Sequence, residues 1–332
     1  MKTERVSTCL LCARLGNLRF ADLPDNLYHI PGAWNVMNCD YCSLAWIGER
    51  PQEEDLKELY RQYHTHTGYL DNSSATGWKK IIKEKLLGAA LGYGSLSILD
   101  RIVFGTAVCF RPAFDYVAGR WMWLARKDNG VLLDVGSGAG LFLDRMRALG
   151  WKTHGVEFDP EAVKVSNEKL GLSVHCSSLE EAAFETEYFD AITMSHVIEH
   201  LPDPVKVLSE CHRILKTGGQ FVITTPNIES LGFKLFGKNW RGLEVPRHLY
   251  IYSTRSLRKV VESAGFEARV VRTNARYASG MFSNSQYLAG KKQTKVLAKY
   301  FQVFEQLAEL VVPCGEELLL IATKVRRTPT SS

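Results

Sequence analysis

The run Leu132-Leu-Asp-Val-Gly-Ser-Gly-Ala-Gly140 decides how this chain folds. Its apolar half, which begins at Val131, has the length and composition of a buried parallel strand. Three glycines at alternate positions then allow a tight turn whose backbone can approach a ligand closely. Apolar residues return at helical spacing from Leu141 to Leu149. The stretch therefore predicts a strand, a glycine-rich turn and a helix.

Glu157 follows about twenty residues after this turn, at the end of a second predicted strand over 153–156. In nucleotide-binding βαβ units a carboxylate at that place accepts hydrogen bonds from ribose hydroxyls. The turn itself has the spacing D-x-G-x-G-x-G, starting at Asp134, and not the G-x-G-x-x-G of dinucleotide sites. An ordinary strand-turn-helix without a ligand is the alternative interpretation.

With its leading acid and short spacing, the turn resembles the cofactor loop of class I S-adenosylmethionine (SAM) methyltransferases. Segments 188–194, 195–204 and 214–226 follow in the order found in the family that includes ubiquinone-pathway and sugar methyltransferases. The resemblance covers about residues 127–325 and implies a Rossmann-like α/β domain with a seven-stranded, mostly parallel sheet. The last strand of that sheet is expected over 317–322, in an antiparallel hairpin.

The resemblance also implies SAM as the cofactor and assigns residues to it. Asp134 is expected to hold the loop or to reach the methionine ammonium, while Glu157 binds the ribose. No helix N-terminus is needed for a pyrophosphate, because SAM carries a sulfonium cation instead. The full predicted cofactor set is Asp134, Gly136, Ser137, Gly138, Gly140, Glu157, Phe158, Ser195 and His196.

Four of the eight cysteines form two C-x-x-C pairs that predict a structural zinc site. The pairs are Cys9 with Cys12 and Cys39 with Cys42, separated by twenty-six residues. In a reducing compartment such pairs bind zinc as thiolates more often than they form disulfides. A redox pair or incidental spacing is the alternative. A module of about fifty residues has too small a core to fold alone, so the metal would stabilise it.

These motifs divide the chain into four predicted parts. Residues 1–50 form a zinc-ribbon-like module, 51–126 a helical lid or linker, 127–325 the catalytic domain and 326–332 a disordered tail. The lid contains two apolar segments within 86–110, interrupted by glycines that weaken a continuous helix. We expect these segments to pack against the catalytic domain. A peripheral membrane or lipid-chain contact through 86–110 is the alternative.

A basic segment over 231–258 follows the predicted fifth strand, at the edge where open α/β sheets bind ligands. It contains six Lys or Arg residues against one acid, with aromatic residues between them. This composition suits an anionic substrate such as a nucleotide sugar or a glycolipid, with Arg241, Arg247 and Arg255 as candidate phosphate partners. A solvated basic face is the alternative.

Within this segment, 246–253 is similar to zinc-bearing sugar methyltransferases, whose carbon-methylating members carry a Glu-His pair there. His248 matches the histidine, but Arg247 stands where that glutamate would be, which favours methylation of oxygen. His248 is therefore a candidate base. His196 and His200 compete for that role. The resemblance implies metal or substrate contact for the Glu199-His200 pair, and capping or packing at a helix start is the alternative for His200. The predicted catalytic set is His248, His200 and Arg247.

Composition adds few constraints. The 332 residues carry a net charge of +5, which is too small an excess to predict nucleic-acid binding. The N-terminus lacks an apolar signal segment, and the longest uncharged apolar stretch has fourteen residues, too few to span a bilayer. We therefore expect a cytoplasmic protein, with membrane association as an alternative. The sequence leaves the oligomeric state open.

Three functions fit these features. The first is SAM-dependent methylation of a saccharide, nucleotide-sugar or glycolipid hydroxyl in surface polysaccharide synthesis. The second is methylation of a lipid or a prenylated aromatic compound. The third is a non-catalytic zinc-ribbon interaction protein that has a SAM-binding fold, against which the intact loop residues argue.

Overall fold

The computed structural model describes residues 2–52, 55, 59 and 77–326. Most of the predicted lid before residue 77 and the predicted tail from residue 327 lie outside the described residues. The described strands are β1 (Thr3–Arg5), β2 (Asn17–Leu23), β3 (Trp34–Asn38), β4 (Ala45–Ile47), β5 (Glu49–Pro51), β6 (Val131–Val135), β7 (Lys152–Glu157), β8 (Val174–Cys176), β9 (Phe189–Ser195), β10 (Leu215–Pro226), β11 (Tyr250–Ile251), β12 (Phe266–Asn274) and β13 (Glu317–Lys324).

The described helices connect these strands. They are α1 (Trp78–Leu91), α2 (Ile98–Cys109), α3 (Arg111–Ala118), α4 (Leu141–Ala148), α5 (Pro160–Lys164), α6 (Pro204–Ile214), α7 (Leu231–Phe236), α8 (Thr254–Ser263), α9 (Ala278–Leu288) and α10 (Lys295–Ala308). The described chain forms two compact units. One contains 2–52, 55 and 59 with Ser195–Ser209 and Ile223–Ala322, and the other contains 77–194 with Glu210–Val222 and 323–326.

The main sheet has seven strands in the order β12-β13-β10-β9-β6-β7-β8. Strand β6 pairs in parallel with both β7 and β9, and β7 pairs in parallel with β8. Strand β6 is buried after its first residue, because it lies between two parallel neighbours in the middle of the sheet. The predicted α/β class and the seven-stranded sheet are confirmed.

The glycine-rich turn follows β6 and leads into α4, as the sequence predicts. The apolar face of α4 places Leu143 and Met146 in the core. Further along, α6 begins with Pro204 in its first turn, and the Asp203 carboxylate accepts a hydrogen bond from the backbone N–H of Lys206 at 3.0 Å. Both are ordinary signals of a helix start.

The segment over 86–110 is helical but only partly buried. Helix α1 buries Leu87 and Leu91, and α2 is capped by Ser97 and Asp100, whose side chains bond each other's backbone N–H groups. No residue of α2 is buried, and Ile98 is 81% exposed. The expectation that this segment packs into the domain is therefore wrong for α2. Its contact with a membrane surface stays a prediction.

A four-stranded antiparallel sheet, in the order β11-β4-β3-β2, combines the N-terminal region with the basic segment. Tyr250 and Ile251 of β11 pair with Trp46 and Ala45 of β4. The core beneath this sheet also contains aromatic residues of the basic segment, including the buried Trp240. These rings pack in the core, so they are not available to stack on a substrate. The predicted domain boundaries stay predictions.

Among the described residues, no helix is both long enough and apolar enough to cross a membrane.

Candidate functional site

The glycine-rich turn has the backbone that its sequence predicts. Gly136, Gly138 and Gly140 have φ values of 72°, 53° and 78°, in the left-handed region that glycine adopts without strain. A side-chain carbon at Gly140 would lie 2.5 Å from Leu172 Cδ1. The turn therefore needs glycine at this position for both its conformation and its close packing.

Glu157 fixes the turn to the end of β7. Its Oε2 accepts a hydrogen bond from the Gly138 N–H at 2.8 Å. Its Oε1 accepts bonds from the N–H groups of Phe158 and Asp159, at 2.8 and 3.0 Å. A carboxylate held by three backbone donors has a defined orientation and keeps lone pairs for further hydroxyl donors. This arrangement fits the role expected of Glu157 toward a ribose.

The Asp134 side chain is buried and accepts a hydrogen bond from a neighbouring strand. Its Oδ1 accepts a hydrogen bond from the Thr193 hydroxyl at 2.6 Å, which links β6 to β9. Burial raises the pKa of Asp134 to about 7, with the Glu157 charge contributing, although the Thr193 hydrogen bond opposes the shift. Asp134 is expected either to hold the loop or to reach the methionine ammonium. Its hydrogen bond to Thr193 favours the first role.

Two other predicted cofactor residues lie beside this turn. The Ser137 hydroxyl is buried and has no hydrogen-bond partner among the described residues. A buried, unsatisfied hydroxyl is unusual, because it costs about 1–3 kcal/mol unless a ligand or water bonds it. Phe158 is 67% exposed, so its ring is available for contact with a planar group. Both features fit a ligand that carries polar and aromatic parts.

Ser195 is the last residue of β9 and His196 follows it, next to Met194, which pairs with Val135 at the end of β6. The Ser195 hydroxyl lies 3.1 Å from the Thr224 hydroxyl. His196 lies between two buried carboxylates: Nε2 is 2.8 Å from Glu317 Oε1 and Nδ1 is 3.4 Å from Glu199 Oε1. Partial burial opposes the charge, but the carboxylates outweigh it and raise the pKa of His196 well above its usual value. A protonated His196 cannot act as a base.

Glu199, His200 and His248 form a compact cluster. Their ligating atoms lie within 4.8 Å of one another, and the two imidazole ring centres are 4.7 Å apart. His200 Nδ1 donates to the Arg247 carbonyl at 3.0 Å, and His248 Nδ1 donates to the Gly242 carbonyl at 2.8 Å. Since a carbonyl can only accept, Nδ1 of each ring carries a proton, and Nε2 is the ring nitrogen left for other partners.

The charges in this cluster are set by burial and by neighbouring residues. Burial lowers the pKa of His248 to about 4, against the influence of the Glu244 charge. Burial disfavours ionisation of Glu199, but its hydrogen bond to His196 and the nearby histidines lower its pKa to about 2. The cluster at neutral pH therefore contains a carboxylate beside the neutral imidazole of His248. Such a set can accept a proton from a hydroxyl or hold a divalent cation.

Arg247 does not reach a substrate. It is fully buried, and its guanidinium donates to both oxygens of Asp25 at 2.9 and 3.2 Å and to Glu244 Oε1 at 3.1 Å. The same group lies over the Tyr28 ring, 4.1 Å from its centre. The expectation that Arg247 binds a phosphate or takes part in catalysis is wrong, because its donors are committed to buried carboxylates.

A carboxylate does stand beside His248, contrary to the sequence interpretation. Glu244 Oε2 lies 3.5 Å from His248 Nε2, and Arg241 donates to the same oxygen. The charges of His248, Arg241 and Arg247 overcome burial and lower the pKa of Glu244 to about 2. The absence of a glutamate next to His248 in sequence therefore does not favour oxygen over carbon methylation.

Sequence reasoning missed three carboxylates that complete these contacts: Asp25, Glu244 and Glu317. Asp25 and Arg247 are 222 positions apart, and Glu317 and His196 are 121 apart. No local spacing could pair them. The pairing of Glu244 with basic residues could have been predicted, because it is the single acid in a segment with six basic residues.

The four paired cysteines converge as the sequence predicts. Their sulfurs lie within 4.8 Å of one another, and Cys9 Sγ is 3.6 Å from Cys42 Sγ. This separation excludes a disulfide, whose bond is about 2.05 Å, and is close to the edge of about 3.8 Å in a zinc tetrahedron with bonds of about 2.3 Å. Burial raises the pKa of the Cys9 and Cys42 thiols, whereas backbone hydrogen bonds from Cys42 and Tyr41 outweigh burial and lower the pKa of Cys39. A bound cation would favour the thiolate forms.

Both C-x-x-C pairs adopt the same turn. The N–H of Ala13 donates to the Cys9 carbonyl at 2.9 Å, and the N–H of Ser43 donates to the Cys39 carbonyl at 2.8 Å. Ala13 and Ser43 share left-handed φ values of 51° and 58°. Lys259 Nζ lies 3.2 Å from Cys12 Sγ, where an ammonium would offset thiolate charge. The matched turns direct two pairs of sulfurs toward one centre.

Comparison with known proteins agrees with this fold. Residues 111–271 match the family model described as a methyltransferase domain. Ubiquinone biosynthesis O-methyltransferase of Xanthomonas oryzae pv. oryzae is 32% identical over 146 residues, which are 42% of this chain and 59% of that protein. The protein of the same name from Paraburkholderia phymatum is 29% identical over 168 residues, 47% of this chain and 72% of that protein. This chain spans about half the length of the Xanthomonas relatives it matches.

Solved structures of SAM-dependent methyltransferases match at low identity. The one from Archaeoglobus fulgidus is matched over 67% of this chain and 99% of its own, with a TM-score of 0.44 and 20% identity. The one from Mesorhizobium loti is matched over 63% and 97%, with a TM-score of 0.45 and 16% identity. The finer similarity to zinc-bearing sugar methyltransferases stays a prediction. The seven-stranded sheet, the glycine-rich turn and the family match together establish that this chain has the α/β fold of class I SAM-dependent methyltransferases.

Proposed function

We propose that this protein transfers the methyl group of SAM to a hydroxyl oxygen of a small acceptor. The observation that carries the proposal is the Glu199, His200 and His248 cluster, which offers a carboxylate and imidazole lone pairs in a chain with a methyltransferase fold. The relatives that match are named as O-methyltransferases, which supports oxygen as the acceptor atom.

The SAM-binding part of the proposal rests on the turn and on Glu157. Left-handed glycines, a fixed carboxylate and the unsatisfied Ser137 hydroxyl form a cradle that suits the methionyl and ribose parts of SAM. When bound, SAM supplies an activated methyl group on a sulfonium. The protein then has to orient the acceptor in line with that methyl and exclude competing water.

Replacing Glu157 with alanine should weaken SAM binding about tenfold to a hundredfold, because about 1.5–3 kcal/mol of charge-assisted hydrogen bonding is lost. Isothermal titration calorimetry measures this directly. Glu161→Ala is a matched control, since Glu161 is an exposed acid on the next helix. Wild-type protein that binds neither SAM nor S-adenosylhomocysteine would contradict the cofactor assignment.

In the proposed reaction the acceptor oxygen attacks the methyl carbon while the sulfur–carbon bond breaks, and the hydroxyl proton passes to an imidazole nitrogen. His248 suits this transfer because it is neutral at pH 7 and its Nδ1–H is fixed by the Gly242 carbonyl. Glu199 stabilises the imidazolium that forms. His196 remains protonated throughout and holds Glu199 in place.

As an alternative to proton transfer to His248, the same three groups fit a divalent cation. Two imidazole nitrogens and one carboxylate are a common donor set for such ions, and the carbonyls of Arg247 and Gly242 orient the two rings as outer partners do in metal sites. When bound, the ion would polarise the acceptor hydroxyl and favour its deprotonation.

For the acceptor, we favour a phenol or prenylated phenol over a saccharide phosphate. Arg247 is buried and Trp240 lies in the core, so neither is available to bind a saccharide phosphate. The name of the relatives, which refers to ubiquinone biosynthesis, supports the alternative. The exposed bases Arg255 and Arg258 leave an anionic sugar as the competing outcome.

An acceptor panel distinguishes these substrates. The whole protein would be incubated with methyl-labelled SAM and either catechols with and without a prenyl chain, or nucleotide sugars and lipid-linked glycans. We expect label in the phenols only, on oxygen, as established by mass spectrometry of the product. Label in a nucleotide sugar would overturn the phenol proposal, and label on carbon would overturn oxygen transfer.

We also infer that Cys9, Cys12, Cys39 and Cys42 hold a structural zinc ion. The sulfur separations, the matched turns and the absence of a fifth ligand in the described cluster support a closed tetrahedral site. Cys39 and Cys42 lie between β3 and β4, and β4 pairs with β11, which begins two residues after His248. Zinc would therefore stabilise the strand that follows the proposed base.

A further inference from the structure

Helix α10 presents an apolar stripe to the outside of its unit. Val296, Tyr300, Val303, Phe304 and Leu307 recur at intervals of three and four residues, which places them on one face of the helix. Each is more than half exposed, from 53% at Leu307 to 70% at Tyr300. The stripe continues into Val311, which is 86% exposed.

The opposite face already anchors this helix. Ala298, Phe301 and Glu305 are buried, and the Phe301 ring stacks on Phe282 of α9 with centres 4.5 Å apart. Gln302 donates to the Arg276 carbonyl at 2.8 Å. Since the inner face fixes α10 in place, the outer stripe is not needed to hold the helix on the protein. A contiguous row of exposed apolar side chains such as this one usually marks an interaction site.

The charges around the stripe have one sign. Lys291, Lys292, Lys295 and Lys299 are exposed before and within α10. The acids between 291 and 312 are Glu305 and Glu309, which are only 0% and 7% exposed. The outward surface of this segment therefore combines apolar side chains with positive charge and carries no exposed carboxylate.

We propose that the outer face of α10 binds the surface of an anionic lipid bilayer. An interfacial helix inserts its apolar side chains at the headgroup boundary while its lysines contact lipid phosphates. A second copy of this chain would bring the same positive surface against itself, whereas anionic lipid supplies the opposite charge. The proposal goes beyond methyl transfer and does not depend on the identity of the acceptor.

Vesicle flotation tests this proposal with the full chain. We expect binding to vesicles that contain phosphatidylglycerol and little binding to pure phosphatidylcholine. The double variant F304S/L307S should reduce binding about tenfold or more, because two apolar side chains no longer insert. The double variant K295Q/K299Q should reduce binding to anionic vesicles about fivefold per lysine.

The matched control is L15S/L18S, which removes two equally exposed apolar side chains from the N-terminal region of the same unit and should bind like wild type. Melting temperature and circular dichroism confirm that each variant folds. Wild type that does not float, or F304S/L307S that floats like wild type, would overturn the proposal. So would a dimer in analytical ultracentrifugation that F304S/L307S dissociates, since the stripe would then bind a second copy.

Discussion

Replacing Cys39 with serine should release zinc from the protein and lower its melting temperature steeply. Structural zinc sites contribute roughly 10–16 kcal/mol of binding free energy to folding, far more than a typical hydrogen bond or ion pair. Cys39 directly follows β3, and Cys42 precedes β4, so the metal closes the connection between two paired strands. Elemental analysis should find about one zinc per chain in wild type and far less in the variant.

Cys109→Ser is the matched control for this experiment. Cys109 is an exposed, isolated cysteine outside the cluster, so its replacement should leave both the zinc content and the melting temperature unchanged. Circular dichroism after chelation gives a second measure of the loss of structure. A zinc-free wild-type protein with the same melting temperature before and after chelation would rule the metal site out.

Replacing His248 with alanine should lower kcat by about a hundredfold to ten-thousandfold and change SAM affinity little, because proton transfer acts in the transition state. The variant His248→Gln keeps a polar group of similar size at this buried position and separates catalysis from packing. Glu199→Gln should lose activity for a related reason, since the neutral amide stabilises an imidazolium less well. His175→Ala, at an exposed histidine, should retain wild-type rates.

The pH profile provides a readout that a purely structural role would not change. Burial lowers the pKa of His248 to about 4, so His248 is already neutral well below pH 6.5. Activity that requires this neutral ring should persist as the pH falls and be lost only as the pH approaches the lowered value. An acidic limb near pH 6.5 to 7 would instead point to a group other than His248, either a histidine with an ordinary pKa or Asp134, whose pKa is raised to about 7. Unchanged kcat in both His248 variants would remove His248 from the mechanism.

The local sequence correctly predicted the elements whose conformation depends on residues nearby in the chain. The strand, turn and helix from Val131 to Ala148 follow from an apolar run, three glycines and helical periodicity, and each lies where it was expected. Each C-x-x-C turn orients its own two sulfurs for the same reason, whereas the contact between Cys9 and Cys42, 33 positions apart, is made by the fold. The predicted last strand, 317–322, begins correctly at Glu317 and ends two residues later, at Lys324.

The tertiary structure determined which charged residues form ion pairs. Arg247 was expected to bind a substrate because it lies in a segment with six basic residues and a single acid. Its partner Asp25 lies 222 positions away, and a buried guanidinium without that partner would be strongly unfavourable. Glu317 restricts His196 in the same way. Sequence spacing contains no information about pairs that are formed by the folding of distant segments.

Tertiary structure also decided which face of α10 is buried. The periodic stripe from Val296 to Leu307 would normally predict the core side of an amphipathic helix. Instead Ala298 and Phe301 pack against α9, and the stripe faces outward. Sequence determined that α10 has two distinct faces, because side-chain period is a local property. Which face lies against the protein depends on the shape of the surface that receives it, and that surface is built from segments far away in the chain.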